Sequence, residues 1–108
     1  MEMVNDIDKK TLVNRFNKVC KGKATTYVKD KYLGTGGYLN INDDYYIKLI
    51  IFPYPKEIII ERVKKYAPYL IMGDTIEEDK ITNFKTIDNN ILDWIETTTN
   101  KYIKECAN

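Results

Sequence analysis

The sequence predicts an α+β fold: a small antiparallel sheet centred on a 38–52 hairpin, flanked by N-terminal, middle and C-terminal helices. Three observations carry this. Tyr45 to Phe52 alternates at period two, the residues near both ends place apolar side chains at helical spacing, and Gly and Pro punctuate the stretches between.

The first helix is expected over residues 8–21. Leu12, Val13, Phe16, Val19 and Cys20 form one stripe, Asp6 or Asp8 can cap its start, and Gly22 is placed to end it. Lys10, Asn14, Arg15, Asn17, Lys18 and Lys21 make its polar, basic outer side. Residues 24–33 read either way. Thr25 to Val28 favour a strand, while Val28, Lys31 and Tyr32 share a helical side.

The hairpin follows a glycine-rich break at Gly34, Gly36 and Gly37. A two-residue Asp43-Asp44 turn would set Leu39 and Ile41 on the side of Lys48 and Tyr46. A three-residue loop instead pairs Ile41 with Tyr45 and Leu39 with Ile47, which joins the apolar positions into one face, so that register is expected. Pro53-Tyr54-Pro55 ends the second strand, because proline cannot donate to a ladder.

Beyond it, Ile59, Val63, Tyr66 and Leu70 recur at helical spacing after Pro55, with Pro68 ending or kinking the segment. The β-branched run Ile58-Ile59-Ile60 is the argument for a strand there. Residues 73–79 read as an acidic connection and residues 80–87 as a short strand. A last helix, capped by Asp88, carries Ile91, Leu92, Ile95, Tyr102, Ile103 and Cys106 with Trp94 beside them.

At 108 residues the chain suits one domain, residues 1–108. It has 17 Lys and Arg against 16 Asp and Glu, so net charge is +1, which is weak for a polyanion binder. Residues 1–35 hold eight basic and four acidic groups, so the excess of positive charge is N-terminal. No His, Ser or Gln occurs, which removes serine and Cys-His triads and every His-containing metal site. A non-catalytic protein without cofactor or metal is therefore expected. Cys20 and Cys106 are expected as free thiols. The longest apolar stretch, residues 45–55, is too short to cross a bilayer and residues 1–10 do not resemble an export signal, so a cytoplasmic location without membrane contact is expected.

Four groups of residues carry side chains or spacing that a site could use. Gly34-Thr35-Gly36-Gly37 lacks the spacing of a dinucleotide fingerprint and the Lys of a P-loop, and reads as a turn. Asp74, Glu77, Glu78 and Asp79 offer carboxylates for an acid-base pair or a cation, but at the wrong spacing for a calcium loop, and read as exposed acidic surface. Asn42, Asp43 and Asp44 read as turn chemistry. Lys29, Lys31, Tyr38, Tyr46 and Lys48 combine aromatic rings and cations in a pattern that suits stacking and phosphate contact.

Ile, Lys, Asn and Tyr supply 49 of the 108 residues, which points to an AT-rich genome. Nine tyrosines are more than a small core can satisfy, so several should lie on the surface as contact anchors. Together these predict a small protein-binding domain, an accessory or inhibitor protein of a phage or mobile element that blocks a larger host protein or defence complex. A nucleic-acid-binding protein using the Tyr/Lys sheet face is the alternative.

Overall fold

The computed structural model describes residues 3–107. In chain order these form α1 (Asp6–Val19), β1 (Thr25–Asp30), β2 (Gly34–Asn40), β3 (Tyr45–Phe52), β4 (Glu57–Lys65), β5 (Gly73–Thr82) and α2 (Asn89–Cys106). The five strands make one antiparallel sheet in sequential order, each paired to the next.

α1 begins two residues earlier than expected, and its cap is Asn5 rather than an aspartate. Asn5 Oδ1 accepts from the Asp8 amide at 2.8 Å, leaving Asp6 free to bind Lys29. Leu12, Val13 and Phe16 point inward, and Gly22, at φ +76°, turns the chain away as its amide returns to the Asn17 carbonyl. α2 starts as expected at Asp88, which accepts from the Ile91 amide at 3.0 Å.

The β2–β3 hairpin has the three-residue loop and the Leu39–Ile47 register that continuity of the apolar face demands. Ile41 donates to the Tyr45 carbonyl, and Asn42 Oδ1 takes the amides of both Asp44 and Tyr45. Residues 25–30, ambiguous by sequence, are a strand.

Three expectations are corrected. The middle helix is absent: residues 57–65 form β4, because Ile58 and Ile60 face the helices while Ile59 and Val63 face the other way, a division only period two provides. The glycine-rich segment is not a turn but β2 itself. A Cβ on Gly36 would collide with the Leu49 carbonyl of β3, so glycine there permits the close approach of the two strands. Asp74, Glu77, Glu78 and Asp79 do not form an acidic connection. They lie on β5, which places Glu77 and Asp79 on the helix side and Glu78 on the opposite side.

Both helices pack on one side of the sheet: α1 against β1, β2 and β3, α2 against β3 and β4, and the two against each other. Between the layers lie Leu12, Phe16, Ile47, Leu49, Ile58, Ile60, Ile95 and Tyr102, all with essentially no exposed surface. Cys20 and Cys106 are buried free thiols, and burial pushes the Cys20 pKa up to about 12. No helix among the described residues is long and apolar enough to cross a membrane.

Candidate binding face

Because the helices occupy one side, the other side of the sheet carries no layer. Register alone assigns its residues. Tyr38 lies opposite Lys48 and Asn40 opposite Tyr46. Further across, Lys48 meets Glu61, Ile50 meets Ile59, Glu61 meets Glu78, and Ile59 meets Lys80. Tyr27 joins this side through its partner Gly36.

Over this open face two loops lean inward. The β1–β2 turn brings Leu33, and the β4–β5 connection brings Ile71, so that with Tyr27, Tyr38, Tyr46 and Lys48 they line a groove of about 150 Å³. Tyr38 and Tyr46 meet edge to face, with ring centroids 6.3 Å apart and planes at 75°. Tyr46 and Val63 beneath are buried, at 5% and 2% exposure.

The β4–β5 connection is held in place by an unusual lysine. Lys65 is 6% exposed, and its ammonium donates to Asn40 Oδ1 at 3.0 Å, the Asn42 carbonyl at 3.1 Å and the Pro68 carbonyl at 2.6 Å. All three donors are used on neutral acceptors, which meets the hydrogen-bonding demand of the enclosed charge.

Burial raises the pKa of Tyr27, with Tyr38 and Asp30 adding to it, and burial likewise raises Tyr46, helped by Glu61. These phenols are therefore protonated donors at neutral pH. With Lys48 they can hold an acceptor over an aromatic floor.

The structure brings together three of the five aromatic and basic residues singled out in the sequence: Tyr38, Tyr46 and Lys48. Lys29 is directed to the helix side, where its ammonium is 2.9 Å from Asp6 Oδ2, and Lys31 lies in the β1–β2 turn with Nζ 5.6 Å from the Tyr32 ring centroid. Tyr27, Leu33 and Ile71 were not anticipated. Tyr27 could have been found by parity once 25–30 was taken as a strand, but Ile71 sits in an irregular loop without periodic signal.

The acidic residues hold the architecture instead. Glu77 Oε1 is 3.2 Å from Arg62, and its other oxygen is 3.2 Å from Lys101 of α2. Asp79 accepts from the Tyr102 hydroxyl, and Asp74 from the Tyr66 hydroxyl, both at 2.7 Å. Among the described residues no group of three or more His, Cys, Asp and Glu side chains is disposed to hold a metal ion. In comparisons with family models, curated proteins and solved structures, the chain matches none.

Proposed function

We propose that this chain is a small, non-catalytic protein-binding domain that docks a segment of a larger protein on the open sheet face. One observation carries the reading: both helices cover the same side, leaving Tyr38, Ile50, Phe52 and Ile59 on a side with no second layer. Sheets that present apolar and aromatic side chains without cover serve as contact surfaces.

Charge favours a polypeptide over a nucleic acid as the occupant. Lys48 and Lys80 on this face are balanced by Glu61 and Glu78, whereas a phosphate backbone calls for an unopposed basic stripe. The AT-rich composition and small size support the more specific proposal of a phage or mobile-element protein that blocks a host protein or defence complex in the cytoplasm.

Photo-crosslinking tests the docking face. A benzophenone side chain replacing Phe52, in cells that naturally make the chain, should give an adduct of one defined protein mass that survives nuclease. The same group replacing Asn14, on the outer side of α1, should give none. Adducts lost on nuclease treatment, adducts formed equally from both positions, or none from Phe52 would overturn the reading.

A further inference from the structure

The groove at the centre of the open face holds two polar groups that the fold itself leaves unanswered. Tyr46 has only 5% exposure, and its hydroxyl, which keeps access to solvent, hydrogen-bonds to no described residue. Lys48 stands opposite Glu61 in register but makes no ion pair with it or with any other described carboxylate, and lines the groove instead. The hydroxyls of Tyr27 and Tyr38 complete the lining and are likewise unbonded within the described chain.

We propose that this groove is a seat for one carboxylate, supplied by an acidic side chain of the docked polypeptide, with Lys48 as its counter-ion and the tyrosine hydroxyls as its donors. The proposal rests on the docking reading above and gives the partner its anchor chemistry.

Three features select this occupant. The polar groups are an ammonium and phenols, so the ligand must accept hydrogen bonds and carry negative charge. The surrounding rings, Leu33 and Ile71 are apolar, which fits the methylene stem of a glutamate better than a strongly hydrated ion. There is one cation, and Glu61 across the register from it already offsets part of its attraction, so the groove matches at most one negative charge and disfavours a phosphate dianion.

The test uses the intact chain with N-acetyl-glutamate N-methylamide as probe, followed by the tyrosine ring and lysine Nζ resonances in NMR. Saturable shifts in the millimolar range at Tyr27, Tyr38, Tyr46 and Lys48 are expected, with none from the isosteric glutamine compound. Lys48→Met should weaken binding by about tenfold and Lys48→Arg should restore most of it, while Tyr46→Phe should weaken it roughly threefold. Unchanged backbone amide shifts away from the groove show that each variant is folded. Equal response to the glutamine compound, no response to either, or stronger binding of inorganic phosphate would overturn the carboxylate seat. If that happens while the Phe52 adduct still forms, the docking face stands and only its anchor is wrong. Loss of the adduct alone removes the docking reading.

Discussion

The hydroxyl of Tyr102, a side chain with no exposed surface on α2, donates a 2.7 Å hydrogen bond to Asp79 Oδ2 on β5. This bond spans the gap between the last helix and the edge strand, and Lys101 beside it reaches both Asp79, at 3.8 Å, and Glu77. β5 is thus tied to the helical layer by polar contacts, whereas β3 is held by apolar packing and β4 by apolar packing together with the Arg62–Glu105 ion pair at 3.4 Å.

Tyr102→Phe keeps the ring and removes the bond. A loss of about 1 kcal/mol in unfolding free energy is expected, below the roughly 1.5–3 kcal/mol usual for bonds to charged acceptors because Asp79 keeps Lys101 and water within reach. Urea denaturation of Tyr102→Phe, Asp79→Ala and the double variant measures the coupling. Additive effects would show that the two groups do not stabilise one another.

Acid titration should reveal the carboxyl pair at the C-terminal end of α2. The hydrogen bond between Glu105 and Glu77, together with burial, holds the Glu105 carboxyl above its ordinary value of 4.5. Burial acts to raise Glu77 too, but hydrogen bonds from Glu105, Lys101 and Arg62 leave it lowered. The folded protein therefore holds the Glu105 proton more tightly than the unfolded chain. That contribution is complete below pH 4.5 and is lost as pH rises through the raised folded value. Glutamine keeps a donor for Glu77 at every pH. Glu105→Gln should accordingly gain on the parent as pH rises from about 4.5 toward neutrality, read from denaturant midpoints across that range. A difference that does not change with pH would contradict the shared proton.

Lys65→Met should be costly although no ion pair is lost. Methionine fills much of the same space but leaves Asn40 Oδ1 and the Asn42 and Pro68 carbonyls without their donor. About 1–3 kcal/mol of destabilisation is expected, with faster amide hydrogen exchange in residues 66–72 than in β3. Exchange that quickens uniformly would mean that the lysine does not hold that connection in particular.

Much of this fold was legible because the apolar face of the hairpin could be made continuous in only one register, and because both terminal helices carry clear stripes and the second a clear cap at Asp88. β4 was hidden by arithmetic. Ile59 and Val63 are four apart, a separation that satisfies a helix turn and a strand face equally, and Glu61 and Arg62 break the alternation that would have distinguished them. Tyr66 and Leu70 extended the helical pattern, although both belong to the irregular connection. β5 was obscured for a different reason: on an edge strand charged side chains are tolerated on both sides, so the period-two signal fades. The groove was half legible for the same reasons. Tyr38, Tyr46 and Lys48 followed from hairpin parity, while Lys29 was turned away by the register irregularity between Tyr27 and Asp30.

The sequential strand order has a consequence for synthesis on the ribosome. Each strand finds its partner immediately before it in the chain, so the sheet can assemble as the polypeptide emerges, through short loops of small entropic cost. α1 is already present and can cover β1 to β3 from the outset. Ile58 and Ile60, by contrast, wait for α2, which follows the whole sheet in chain order. The nascent chain therefore passes through a stage, after β5 and before residue 106, in which half of the sheet's apolar side is bare. That interval is when a chaperone would have most to hold and when premature termination would leave the stickiest product.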